Sequence, residues 1–202
     1  MCYYLDPDEV LKVRKLTDTR QRNNDFRWML CDYLNSNPRS ITKELMDQVD
    51  PDGALPEETA YLALLTALCG LDTGTSERDR QLARDYFRPA IRRLDTAAYL
   101  ENPFYENIQI PATRSGSWEL KYESCEPFEA FVCGDLIVEA DFREIPPIGF
   151  FDETFRFPVV LENGREWMAI KPNEMETMRR AIDLVSGNVV TFGLGLGYFC
   201  YM

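Results

Sequence analysis

The sequence predicts an α+β protein with three successive regions. Up to about residue 104, apolar residues recur at roughly helical spacing, for example at Phe26, Leu30 and Tyr33. From about residue 105, apolar and charged residues alternate as in half-buried strands. The last 32 residues combine an amphipathic segment, an apolar stretch and closely spaced glycines. The predicted division is a helical region (1–104), an antiparallel β-rich region with hairpins (105–170), and a C-terminal helix and strand (171–202).

Turn-forming residues divide the first region into several helices. Asn-Ser-Asn-Pro at 35–38 and Asp-Pro-Asp-Gly at 50–53 interrupt the helical pattern. The mostly apolar run at 57–71 indicates a buried helix. Thr75 or Ser76 can accept a hydrogen bond from the first turn of the next helix, so a capped helix is expected there.

Strands are predicted once the apolar period changes. Trp118, Leu120 and Tyr122 alternate with charged residues, which predicts a half-buried strand. Two more strands are expected at 128–133 and 135–142, because both stretches are rich in aromatic and β-branched residues. Together these segments favour an antiparallel sheet.

A hairpin is predicted around the Asn-Gly dipeptide that follows Glu162, because Asn-Gly favours two-residue β-turns. Such a turn pairs Glu162 with Arg165 and Val160 with Trp167. Pro158 has no amide hydrogen for a ladder, so its strand is expected to lie at an edge or to be bulged.

An amphipathic helix is predicted at the start of the last region. Asn173 can cap it, and Glu176 stands at the position of a capping-box partner. Met178 and Ile182 would lie on its apolar face. Gly187 can end the helix in a left-handed conformation.

A short apolar strand is predicted at 188–192, followed directly by Gly193, Gly195 and Gly197. Glycines allow the backbone to approach a ligand closely. A helix is expected to begin near Tyr198, where its free N–H groups would favour an anion. On the glycines alone, a glycine-rich strand end or bulge is an equally good interpretation.

Composition excludes several classes of function. The 202-residue chain has a net charge of −12, which argues against binding nucleic acid through its phosphates. No stretch approaches the ~18 apolar residues of a membrane span, and the N-terminus lacks a secretory signal pattern. We therefore predict a cytoplasmic protein that binds neither nucleic acid nor membrane.

Catalysis by histidine is excluded because the chain contains none. A Ser-His-Asp triad, a Cys-His pair and a His-bearing zinc site therefore cannot be built from this chain alone. The six cysteines form no C-x-x-C pair and are predicted to be reduced thiols, with no metal site.

The segment from Val189 to Tyr198 resembles the first motif of the class I, Rossmann-like S-adenosylmethionine-dependent methyltransferases. That motif has two apolar residues, usually an acid, an apolar residue and then G-x-G-x-G. The helix that opens at Lys171 resembles the one that precedes the first strand in many members and helps to shape the pocket. The resemblance implies a Rossmann-like start and S-adenosylmethionine as the cofactor.

The resemblance also implies where the cofactor would lie. The backbone at Gly193, Leu194 and Gly195 would lie against its methionine portion, and residues 1–170 would bind the methyl acceptor. The implied cofactor-binding residues are Thr191, Phe192, Gly193, Leu194, Gly195 and Gly197. No catalytic base is assigned, and the possible pocket groups are Tyr105, Tyr122, Glu174 and Glu176.

The sequence departs from the family pattern at two points. Thr191 replaces the usual acid, so it can offer the cofactor ammonium a hydrogen bond but no charge. The acidic residue that binds the ribose is expected beyond Met202, with the adenine motifs. We therefore predict the N-terminal, substrate-recognition part of a methyltransferase, inactive as this chain.

Two alternative functions remain open. The chain could be a non-catalytic, self-associating module, a degenerate homologue of the same family. A fragment of a dinucleotide-binding oxidoreductase is less favoured, because its G-x-G-x-x-G fingerprint would need a glycine at Tyr198.

A central Rossmann-like strand at 188–192 would lack neighbours within this chain and expose apolar surface. We expect the tail to join the chain's own sheet, pack on the helical region, exchange with a second molecule or remain disordered. Of these, a homodimer through the tail is preferred.

Overall fold

The computed structural model describes residues 6–202 and contains both helices and antiparallel sheets, which confirms the α+β class. Two compact units are present. The first consists of the chain up to Ile91 together with Leu136–Pro147, and the second of Arg92–Asp135 together with Ile148–Met202.

The elements are numbered in chain order. The helices are α1 (Pro7–Ser36), α2 (Lys43–Val49), α3 (Glu57–Leu68), α4 (Glu77–Leu82), a π-helical turn (Ala83–Phe87), α5 (Arg88–Ala90), α6 (Thr96–Leu100), α7 (Pro103–Asn107), α8 (Pro172–Leu184) and α9 (Tyr198–Tyr201). The strands are β1 (Ile91–Arg93), β2 (Thr113–Ser115), β3 (Trp118–Cys125), β4 (Phe131–Val132), β5 (Ile137–Val138), β6 (Glu144–Ile145), β7 (Ile148–Phe150), β8 (Phe155–Glu162) and β9 (Arg165–Ala169). Within residues 6–202, no helix is long and apolar enough to cross a bilayer.

A capping box starts α1, the long helix of the first unit. The Asp6 carboxylate accepts a hydrogen bond from the backbone N–H of Glu9 at 2.8 Å, and the Glu9 carboxylate accepts one from the N–H of Asp6 at 2.9 Å. Further along, Asn23 is buried and its side chain donates to the carbonyl of Phe142 at 2.9 Å. Its amide oxygen accepts from the Tyr86 hydroxyl at 2.8 Å, so one side chain ties α1 to the π-helical turn and to the β5–β6 hairpin.

A four-stranded antiparallel sheet in the order β2–β3–β8–β9 forms the centre of the second unit. The buried side chains of β8 alternate along one face of this sheet. Residues of α6, α7, α8 and α9 complete the same apolar core. Its members include Tyr99, Phe104, Phe151, Phe155, Phe157, Val159, Leu161, Met175 and Tyr198.

The predicted hairpin is present, with one correction. Glu162 lies opposite Arg165 as predicted, but Val160 pairs with Met168 rather than Trp167. A register shift between Val160 and Leu161, a β-bulge, displaces the pairing by one residue. The sequence pattern of the turn fixes only the residues next to it, so the bulge lay outside the prediction.

Pro158 lies in a central strand, not at an edge. β8 pairs with both β3 and β9, and Pro158 stands opposite Tyr122 in the ladder. Its carbonyl still accepts a hydrogen bond from the N–H of Ile170 at 3.1 Å. β8 is not bulged either, because the extra residue of the hairpin bulge, Trp167, belongs to β9.

The predicted strands at 128–133 and 135–142 are shorter than expected. Only Phe131–Val132 and Ile137–Val138 are extended and paired. Phe128 and Phe142 have φ angles of 63° and 65°, in the left-handed region where a strand cannot continue. The composition of these stretches indicated strands but did not show where the chain turns.

The C-terminal helix begins earlier than its predicted cap. Lys171 is the N-cap of α8 and Pro172 the first helical residue, so Asn173 lies inside the helix and does not cap it. Proline at this position is favoured because its fixed φ already suits the first turn. The helix ends at Leu184, and Gly187, though left-handed, lies beyond that end.

No strand forms at 188–192, so the predicted C-terminal strand is wrong. Within the described residues this segment pairs with no sheet, and Val190 and Phe192 are 81% and 96% exposed. A strand requires a partner for its backbone groups, and its apolar composition alone supplies none.

Candidate functional site

The glycine-rich loop has the geometry that only glycine adopts without strain. Gly193, Gly195 and Gly197 have φ angles of 82°, 55° and 86°. The N–H of Gly197 donates to the carbonyl of Leu194 at 2.9 Å and closes a tight turn. Gly197 is also the N-cap of α9, so the helix begins at Tyr198 as predicted.

The backbone of this loop is open to an approaching ligand. A side chain added at Gly193 or Gly197 would meet no atom within 4 Å. Among the described residues, no acceptor pairs with the backbone N–H groups of Gly193, Leu194 and Gly195. Because α9 has only four residues, its dipole contributes little. The loop can therefore bind through consecutive backbone donors.

The other implied cofactor residues lie on the same loop and face solvent. Thr191, Phe192 and Leu194 are exposed. The Thr191 hydroxyl oxygen lies 3.4 Å from the sulfur of Cys200, so the chain before the glycines folds back onto α9. All six implied residues lie on this loop, and no strand supports them.

Tyr198 anchors this loop to the core of the second unit. Its side chain is buried, and its ring packs edge-on against Phe104 of α7 at a centroid distance of 5.3 Å. Leu196 is partly buried against the same core. The tail therefore packs on α7, at the boundary between the predicted helical region (1–104) and the predicted β-rich region.

An open cleft of about 810 Å³ lies along α7, within the second unit. Phe104 of this helix contacts Tyr198, whereas the next residue, Tyr105, lines the cleft. One short helix therefore connects the glycine loop to the cleft. The lining includes Leu100, Tyr105, Ile108, Ile110, Tyr122 and Arg156.

The structure brings Tyr105 and Tyr122, both predicted pocket groups, into this cleft. The Tyr105 hydroxyl donates to the carbonyl of Ile170 at 3.0 Å, and burial raises the pKa of Tyr105 well above its ordinary value. The Tyr122 hydroxyl accepts from the N–H of Ile110 at 3.3 Å. Tyr105 therefore stays neutral at physiological pH, and both hydroxyls hold neighbouring backbone in place.

The two predicted glutamates lie on α8 and are not brought together. Glu174 is exposed in the first turn of that helix. The Glu176 carboxylate accepts from the Tyr99 hydroxyl at 3.2 Å and pairs with Arg179 at 2.8 Å. Burial, with the adjacent Glu176 carboxylate, raises the pKa of Tyr99 to about 12. Glu176 is thus held in a structural network.

Sequence reasoning missed Arg156, which lines the cleft. Its guanidinium carbon lies 4.4 Å from the centre of the Tyr122 ring. The sequence pattern could have indicated this position. Arg156 stands between two phenylalanines of an alternating strand, so its side chain is expected on the face opposite to theirs.

The described residues contain no group of three His, Cys, Asp or Glu side chains arranged to hold a metal ion.

The chain matches no family model, no curated protein and no solved structure. Its function is therefore inferred from the loop, the cleft and the sequence motif.

Proposed function

We propose that this chain provides the methionine-binding loop and the acceptor-binding part of an S-adenosylmethionine-dependent methyltransferase. The observation that carries the proposal is the row of free backbone N–H groups at Gly193, Leu194 and Gly195. They belong to a segment that resembles the first motif of that family. Consecutive N–H groups in left-handed turns suit a carboxylate, such as that of the methionine portion.

The loop and the cleft would have separate roles. Bound S-adenosylmethionine would supply an activated methyl group. The loop would hold this cofactor by its methionine portion. The cleft along α7 would position the acceptor, because methyl transfer depends mainly on aligning the two reactants. Since Phe104 contacts Tyr198 and Tyr105 lines the cleft, α7 fixes the loop relative to the acceptor.

We expect this chain to bind the cofactor weakly and to transfer no methyl group by itself. Thr191 offers the cofactor ammonium no charge, and the resemblance implies contacts from this loop to the methionine portion alone. A cytoplasmic location fits the proposal, because the cysteines of residues 6–202 form no disulfide bond with one another.

The proposal is tested by amide NMR spectra of the whole chain titrated with S-adenosylhomocysteine. We expect shift changes confined to the amides of 191–197, with a Kd of about 1 mM. Gly193→Val should abolish them, because a side chain there fills the open space and strains a φ of 82°.

The matched control is Gly116→Val, since Gly116 also has a positive φ, 59°, and open space around it. This variant should retain the shifts in the loop. Shift changes elsewhere in the chain, or equal binding by Gly193→Val, would overturn the proposal. So would the absence of any change at saturating S-adenosylhomocysteine.

Self-association through the tail is a second candidate, favoured by the apolar side chains exposed on it. Val190 and Phe192 are almost fully exposed, and Leu184 and Leu194 are also exposed. We expect sedimentation equilibrium to reveal a dimer that the double substitution Val190→Ser and Phe192→Ser disrupts. Trp28→Ser, which removes another exposed apolar side chain, is the control. A monomer at every concentration would exclude this candidate.

A further inference from the structure

We propose that the cleft along α7 binds the carboxylate of a small apolar or aromatic acid, with Arg156 as the anchoring cation. Identifying this ligand as the methyl acceptor rests on the proposed function. The binding itself depends only on the cleft.

Arg156 is a cation without a carboxylate partner among the described residues. No carboxylate of the described residues pairs with it, whereas Arg93 and Arg179 of the same unit are paired. Its backbone belongs to β8, which is paired on both sides, and the neighbouring Phe155 and Phe157 are buried. The guanidinium is therefore presented from a fixed strand.

Tyr122 orients this guanidinium. The ring lies 4.4 Å from the guanidinium carbon, and its hydroxyl is held by the N–H of Ile110 at 3.3 Å. A guanidinium stacked on an aromatic face keeps its N–H edge free for two parallel hydrogen bonds to a carboxylate. The cation is thus held in place before a ligand arrives.

The other charges of the cleft favour a monoanion. Lys121 lines the cleft, but it forms an ion pair with Glu123 at 2.9 Å. Glu106 also lines the cleft, and its carboxylate would repel a dianion more strongly than a monoanion. A carboxylate is therefore preferred to a doubly charged phosphate.

The other lining residues determine which apolar group can accompany the carboxylate of the ligand. Leu100, Ile108 and Ile110 supply apolar surface, and Tyr105 adds an aromatic ring. The volume of about 810 Å³ is within the range of small-molecule sites, which runs from ~300 to ~1,000 Å³. Because the cleft is open to solvent, we expect modest affinity for a small ring.

The test is a titration of the whole chain with benzoate, followed by amide NMR, with benzamide as the neutral isostere. We expect benzoate to shift the amides of 105–112 and 120–122 with a Kd of about 1 mM, and benzamide to bind at least about tenfold more weakly. Arg156→Met should weaken benzoate about tenfold, and Arg156→Lys by less. Arg180→Met, which removes an exposed, unpaired arginine from α8, should have no effect.

Three results would overturn the inference: equal binding of benzoate and benzamide, unchanged benzoate binding in Arg156→Met, or phosphate binding as tight as benzoate. Because the side chain of Arg156 is exposed, its substitution should leave the fold intact. The chemical-shift dispersion of the same spectra shows whether each variant is folded. If S-adenosylhomocysteine causes no shift changes at 191–197 in the unchanged chain but benzoate still binds, the proposed function is refuted. The assignment of the cleft as a carboxylate site is then unaffected.

Discussion

Replacing Phe155 with alanine is expected to lower the free energy of unfolding by about 3–5 kcal/mol. The Phe155 ring is 0% exposed and stacks on Phe151 at a centroid distance of 4.7 Å. It also lies 6.0 Å from Phe157 and 6.3 Å from Tyr99. Alanine would remove these contacts and leave a cavity between the sheet and its covering helices, because paired strands cannot collapse to fill it.

Phe192→Ala is the matched control for this prediction. The substitution is chemically identical, but Phe192 is 96% exposed, so chemical denaturation should show a change within about 0.5 kcal/mol. A loss at Phe192 comparable to that at Phe155 would mean that the tail is buried in solution, and a small loss at Phe155 would contradict the described core.

Tyr198→Ala is expected to lower the free energy of unfolding by about 2–3 kcal/mol, somewhat less than a central aromatic residue. Tyr198 is 7% exposed and packs on Phe104, but it belongs to a four-residue helix that can shift to reduce the cavity. The larger effect falls on the glycine loop, which would lose its attachment. Hydrogen exchange of the amides of 193–197 should accelerate, and S-adenosylhomocysteine should no longer shift them.

Tyr201→Ala is the matched control, because it makes the same substitution in α9 at a residue that does not anchor the loop. Tyr201 lies on the same helix but is 43% exposed, so both stability and exchange in the loop should stay close to those of the unchanged chain. Equal effects of the two substitutions would show that the packing of Tyr198 on α7 does not hold the loop.

Local patterns predicted the elements that depend on neighbouring residues. The Asn-Gly turn placed Glu162 opposite Arg165, and the last glycine placed the start of α9 at Tyr198. In both places the backbone conformation depends on glycine, whose freedom at positive φ can be read from the sequence.

Features that depend on distant partners could not be predicted in this way. The segment 188–192 has the composition of a strand, but it has no paired neighbour in the described chain. The bulge after Val160 was equally hidden, because its extra residue, Trp167, is defined only by the pairing of β9 with β8.

The cleft was predictable only in part. Tyr105 and Tyr122 were named as possible pocket groups, but their convergence depends on the fold around α7. Arg156 could be placed on the outer face of its strand by alternation, yet the tyrosine that orients it is supplied by another strand. The chemistry of the site therefore follows from tertiary contacts that no single segment contains.

The most direct test of the proposed cofactor loop is ultraviolet crosslinking of the whole chain to methyl-tritiated S-adenosylmethionine, followed by trypsin digestion. No lysine or arginine follows Arg180, so the loop lies in one peptide, 181–202. We predict that the label is recovered in this peptide and is displaced by excess S-adenosylhomocysteine. Label confined to other peptides, or not displaced, would contradict the assignment of the loop as the methionine-binding site.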